Sequence, residues 1–239
     1  ISFTEALQHF QSAELSERRG KAWAPGPGGV LAALLRCLCG PPRLRPQLRG
    51  EQQLVLAMAQ CALDNSERVH MRILQTIYRQ LTRSRLGCPR YGAHWEELGF
   101  QGRAGSSPLP GEIARPIPKI QLNLPWSNSI LSQLLQPLQT QLHWSPLDNF
   151  PFCIMSVNIT RIIIQALREE RLSRECNRRQ QVVGVLNDLY AAAFLRLSRL
   201  WKRQHGTVTN AGFFLKELEL STKKKPRQLL KSLEAYLSR

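Results

Sequence analysis

Residues 182–201, VVGVLNDLYAAAFLRLSRLW, constrain the fold more than any other stretch. Val182, Val185, Leu186, Leu189, Ala193, Leu197 and Leu200 recur at the spacing of one helix face, and Tyr190, Phe194 and Trp201 add bulk to it. A long central helix over 177–203 is therefore expected. Its run Ala191–Ala193 would let a second helix approach closely. Gly206 marks its end, and Lys202 and His205 sit favourably near its carbonyl terminus. Asn187, Asp188, Arg196 and Arg199 interrupt the apolar stretch, and no run of eighteen apolar residues occurs elsewhere, so a membrane span is not expected.

The rest of the pattern is also helical. Leu54, Val55, Met58, Cys61 and Ala62 share a face over 51–63, and Val69, Ile73, Leu74, Ile77 and Leu81 share one over 67–82. Gly87-Cys88-Pro89 stops the second helix. Residues 150–172 carry Ile154, Val157, Ile162 and Ile163; the length and the Ala-Leu-Arg-Glu-Glu tail favour helix over strand. Pro226 opens a last helix with Leu229, Leu230, Leu233, Tyr236 and Leu237 as its buried stripe. Five or six helices and no convincing strand predict an all-α domain over 50–239. Residues 1–49 read as an N-terminal appendage that packs loosely: a short helix over 2–15, a Pro/Gly linker over 24–29 and a short apolar helix over 30–38. The chain begins at Ile1 rather than Met, which reads as a fragment or a missing start.

The net charge is +16. It permits nucleic acid, an anionic membrane surface or an acidic protein as partner. Residues 18–50 hold seven Lys/Arg and no Asp or Glu, and 223–227 read Lys-Lys-Lys-Pro-Arg. Nucleic-acid modules interleave aromatics with their basic residues, whereas these runs carry no aromatic besides Trp23. A solvated surface run is the expected reading, and nucleic acid is not the expected partner. The six cysteines show no knuckle spacing, so reduced thiols rather than a metal or disulfide framework are expected.

Three separated stretches resemble one known family. They are Ala59–Leu63 with His70 and Leu74–Tyr78; then His94-Trp95-Glu96-Glu97-Leu98-Gly99-Phe100-Gln101-Gly102; then Phe150–Thr160. Together, in this order, they are similar to the ELMO domain family. The resemblance implies an all-helical fold and a GTPase-activating role toward Arf-like small GTPases of the Arl2 type. It also implies a cytoplasmic and cytoskeletal setting, including actin-rich cell projections. No cofactor is expected on this chain, since GTP and magnesium would belong to the partner.

In that family the turn ending at Gly102 runs into Pro-x-x-Asp-x-Arg-Gly, whose arginine is thought to act on the GTPase. The chemical reason is general. Phosphoryl transfer spreads negative charge over the transferring group, and a planar, always-charged guanidinium stabilises it, supplying roughly 10³–10⁵ in rate when donated in trans. In this chain the family's aspartate falls on Pro108 and its arginine on Pro110. Residues 103–149 hold seven of the fifteen prolines and only five charged residues. They read as a Pro-rich irregular segment foreign to the family, from an alternative exon, a retained intron or a gene-model error. Arg103 and Arg115 are weak substitutes for the arginine; Arg115 precedes Pro116 and is biased to extended backbone.

Trp95 and Phe100 read as core anchors. Adjacent Glu96 and Glu97 point apart and do not form an acid–base pair. His94 has no nucleophile arrangement beside it. The primary reading is a GTPase-activating-type regulator impaired in catalysis. A non-catalytic GTPase or cytoskeletal binding module, and a basic nucleic-acid or anionic-membrane binder, are the alternatives.

Overall fold

The computed structural model describes residues 1–12, 42–61, 66–82, 84, 87 and 152–238. Eight α-helices and one 3-10 turn make up their regular structure, with no strand among the described residues. We number the helices in chain order: α1 Phe3–Ser12, α2 Arg49–Met58, α3 Arg68–Thr82, α4 Phe152–Arg168, α5 Ser173–Arg179, α6 Val183–Arg203, α7 Ala211–Lys224 and α8 Pro226–Leu237; the 3-10 turn is Pro46–Leu48. The all-α expectation holds.

Helix α6 is the axis of the packing and touches α2, α4, α5, α7 and α8. Val185, Leu189, Ala191, Ala192, Ala193, Phe194 and Leu197 are fully buried, so α6 is covered on nearly every side. A helix apolar over most of its circumference is stable in water only when so enclosed. The three alanines permit that enclosure by keeping the neighbouring backbones close.

The expected single helix over 177–203 is two helices. Helix α5 ends at Gln180, which adopts φ 54°, and α6 begins at Val183. Left-handed backbone at a helix C-terminus is the usual province of glycine, and no glycine stands at 180 to announce the break. Glu170 (φ 57°) and His205 (φ 48°) stop α4 and α6 in the same way. After α4, the Arg171 amide reaches back to the Ala166 carbonyl at 3.0 Å; after α6, the Gly206 amide reaches the Trp201 carbonyl at 2.8 Å. Gly206 was expected to mark the end of the helix. His205 makes the turn, and Gly206 is required for space. A Cβ there would lie 2.7 Å from Trp201 Cγ and 2.8 Å from Cε2.

The N-terminal stretch also departs from expectation. Ala6 and Phe10 of α1, and Leu44 and Leu48 near the 3-10 turn, belong to the core rather than to a loose appendage. The Phe10 ring stacks on His70 at 5.8 Å, and Glu5 of α1 pairs with Arg72 of α3. An amphipathic helix of under three turns has too little propensity to persist alone and is held by this packing. The expected linker and the helix over 30–38 lie outside the described residues.

Smaller differences follow from packing. The sequence reading assigned no element to 211–224, which forms α7. Leu237 is 52% exposed, so the buried stripe of α8 is Leu229, Leu230 and Leu233, with Tyr236 half-buried. Pro226 opens α8 as expected, at a position whose amide has no helical partner.

Candidate functional site

The residues the sequence singles out for function lie outside the described residues. These are the motif His94, Trp95, Glu96, Gly99, Phe100, Gln101 and Gly102, the arginine register at Pro110, and the substitutes Arg103 and Arg115. The described structure supplies their setting: α3 precedes the segment and α4 follows it.

That setting is organised by two adjacent side chains of α2. The Glu51 carboxylate accepts hydrogen bonds from the Val182 and Val183 amides at 2.9 and 2.8 Å. Helix α6 has no capping side chain at its own start, so Glu51 caps it from across the fold. An anion at this end also complements the positive pole of the helix. Gln52 is buried, and its amide nitrogen donates to the Leu167 carbonyl at the end of α4, 3.4 Å away. One turn of α2 therefore satisfies the start of one long helix and the end of another. Asn177 of α5 ties down the chain before α2, accepting from the Arg45 amide at 2.9 Å and donating to the Arg43 carbonyl at 2.8 Å.

Cys176 lies beneath this junction and is fully buried. Burial, with the charges of Glu51 and Glu175 adding to it, pushes its thiol up to about 12. It is a packing residue and a poor nucleophile.

The described arginines divide by partner. Arg72 pairs with Glu5, Arg178 with Glu175, Arg196 with Glu217, and Arg179 with both Asp188 and Glu234. Arg179 joins the end of α5 to α6 and α8, and its side chain is only 18% exposed. A guanidinium so committed is scaffold and cannot reach a phosphate on another molecule. Lys223 spans Glu169 and Glu219 at 2.8 and 2.7 Å. The hydrogen bonds to Glu169 and Glu219 raise the Lys223 pKa. At Glu169, burial opposes ionisation, but the bonds from Lys223 and Gln165 outweigh it and lower the carboxyl pKa.

No group of three or more His, Cys, Asp or Glu with metal-binding placement occurs among the described residues. No helix among them is long and apolar enough to cross a membrane. The arrangement fixes α4 and α6 relative to α2.

The ELMO/CED-12 family model matches residues 53–108 and 127–215, more than half of the chain. The chain belongs to the ELMO/CED-12 family. Of the stretch 103–149 expected to be foreign to the family, the family model matches 103–108 and 127–149; the unmatched interval is 109–126, which contains Pro110 and Arg115. The chain is 50% identical over 238 residues to the ELMO domain-containing protein 3 of Bos taurus, and 48% identical over 239 residues to those of Homo sapiens and Mus musculus. Each alignment covers 100% of this chain and 62% of the relative, so the chain spans about three-fifths of the relatives' length. No solved structure matches it.

Sequence reasoning missed Glu51, Gln52 and Asn177. Each acts on backbone groups more than a hundred residues away in the chain, and no local pattern marks such a cap. The only available hint was negative: the start of α6 has no Ser, Thr, Asp or Asn at its cap, so something else must satisfy its first amides.

Proposed function

We propose that this chain is a GTPase-directed regulatory domain that engages Arf-like small GTPases of the Arl2 type and is impaired as an activator. Family membership supports the GTPase-directed role. The impairment rests on one observation: between two stretches that match the family, the interval 109–126 does not, and the family's arginine register falls there on Pro110. A proline ring carries no charge and cannot stabilise a transferring phosphoryl group, so docking survives while hydrolysis stays slow. The arginines that the described fold ties to carboxylates are not replacements. A cytoplasmic, cytoskeleton-associated setting belongs to the same reading, and imaging of the tagged chain tests it.

The chain already has Gly111 after the two prolines, so Pro108→Asp with Pro110→Arg recreates Asp-x-Arg-Gly in place. A single-turnover GTPase assay with an Arl2-type partner compares the two proteins. The expected result is no acceleration by the chain as it stands and at least about tenfold by the double variant, against the roughly 10³–10⁵ a trans-acting arginine supplies in full. Acceleration by the unaltered chain would overturn the impairment, and its loss in Arg103→Ala or Arg115→Ala would name the substitute.

A further inference from the structure

The two most exposed large hydrophobic side chains among the described residues lie five positions apart. Val208 is 65% exposed and Phe213 is 64% exposed. Val208 stands in the turn between α6 and α7, and Phe213 in the first turn of α7. The turn has a firm base. The Thr207 amide donates to Asn210 Oδ1 at 2.7 Å, and the Asn210 amide donates to Thr207 Oγ1 at 3.4 Å. The Phe213 ring lies edge-on to Phe214, which is buried and edge-on to Trp201. Phe214 thus anchors the α7 start while Phe213 points to water.

The charge left unpaired around these side chains has one sign, since Glu217 and Glu219 of α7 are paired with Arg196 and Lys223. Residues 189–216 contain no Asp or Glu. Arg196 of that interval is committed to Glu217, and Arg199 lies 5.2 Å above the Tyr236 ring. Lys202, Arg203 and Lys216 are exposed, and none has a carboxylate partner among the described residues. Leu220, 48% exposed, and Lys224 follow Phe213 at seven and eleven positions, which places all three along one line of α7.

We propose that the α6–α7 turn and the outer line of α7 form a contact surface for an anionic lipid bilayer. Val208 and Phe213 enter the boundary between headgroups and acyl chains, and Lys202, Arg203 and Lys216 meet the lipid phosphates and carboxylates. The one-sign charge selects a bilayer over a folded protein. A partner with fixed charges is matched by opposing pairs of both signs, whereas a fluid anionic surface disfavours every unneutralised carboxylate brought near it; Glu217, one turn beyond Phe213, is neutralised by Arg196. The tip also fits: one apolar side chain stands in the turn between helices and one at the start of the next helix, a shape that enters a fluid interface more readily than it covers a flat protein face. Such attachment needs no spanning helix.

Sedimentation of the full chain with vesicles tests this, using phosphatidylcholine with phosphatidylserine as minor component against phosphatidylcholine alone. Binding is expected only to the mixture. Val208→Ser with Phe213→Ser should lower the partition coefficient about tenfold or more, from the apolar surface withdrawn. Lys202→Glu with Lys216→Glu should lower it at least about fivefold for each charge removed. Both pairs are exposed, and unchanged melting temperatures would show the fold intact. Failure to bind the mixed vesicles, or equal binding by the serine variant, overturns the proposal. Phe213-dependent self-association in sedimentation velocity without vesicle binding also overturns it and assigns the surface to a second copy of the chain.

Discussion

Glu51→Ala should destabilise the fold far more than its place near the start of a short helix suggests. The substitution removes the acceptor of both the Val182 and Val183 amides, and those residues are 0% and 7% exposed. Losing an ordinary helix cap costs about 0.5–2 kcal/mol. Leaving a buried donor unsatisfied costs about 1–3 kcal/mol, and here there are two, partly reachable by water. We expect a loss of about 2–4 kcal/mol, or roughly 5–15 °C in melting temperature at about 2–4 °C per kcal/mol for a domain of this size. Glu51→Gln keeps one acceptor oxygen and discards the charge, so it should recover about half of the loss. Urea unfolding followed by circular dichroism measures the free energies, and amide exchange at Val182 and Val183 locates the effect. A loss below about 0.5 kcal/mol for Glu51→Ala, the range of an ordinary surface substitution, would refute the cap as a structural element.

Gly206→Ala should cost about 1–3 kcal/mol, because the new methyl group meets the buried Trp201 ring; thermal unfolding and the tryptophan emission of the native state check it. Cys176 should resist alkylation in the native state and react only as the chain unfolds. Its folded pKa is raised from 9.0 to about 12, so its contribution to stability is complete below about pH 9 and is lost as pH rises toward 12. Alkaline unfolding of Cys176→Ala beside the parent chain should show less of that loss. Glu169 has the opposite sign. Its pKa is lowered from 4.5, so its contribution is present above that value and fades as pH falls below it. Lys223→Met should reduce the acid-dependent part of the unfolding curve, and identical acid curves for variant and parent would contradict the pairing.

The parts of the fold legible in the sequence are those with a long repeating signal. Leu54, Val55, Met58, Ile73, Leu74 and Ile77 are buried where helical spacing places them, as are Val185, Leu189 and Leu197. The breaks were not legible, since Glu170, Gln180 and His205 turn the chain left-handed without glycine. Backbone bonds back into the preceding helix close those turns, Arg171 to Ala166, Gln181 to Cys176 and Gly206 to Trp201, and the residue types at the turns do not announce them. Helix α7 was missed for a different reason. It leaves Phe213 and Leu220 in water while burying Thr222, so hydropathy spacing alone does not mark its buried face. The motif 94–102 and the registers at Pro108 and Pro110 are legible as sequence alone, and the reading of the site rests there.

The distribution of charge separates the fold from its proposed membrane surface, and salt should move the two in opposite directions. The net charge is +16, yet the ion pairs of the described residues gather at junctions between elements: α1 to α3, α5 to α6 and α8, α6 to α7, and α4 to α7. The more exposed of these pairs, such as Arg72 with Glu5, contribute at most about 1 kcal/mol each, and screening them costs little. Screening the mutual repulsion of the surplus cations gains more, because that repulsion acts across the whole compact chain. Raising salt from about 0.01 to 0.15 M shortens the screening length from about 30 to 8 Å. The melting temperature should therefore rise over that interval. Vesicle binding should fall over the same interval, since Lys202, Arg203 and Lys216 would lose their long-range attraction while the insertion of Val208 and Phe213 is untouched. A melting temperature that falls with salt would mean that the junction pairs outweigh the repulsion. Vesicle binding indifferent to salt would mean that the cations around the α6–α7 turn do not meet the lipid.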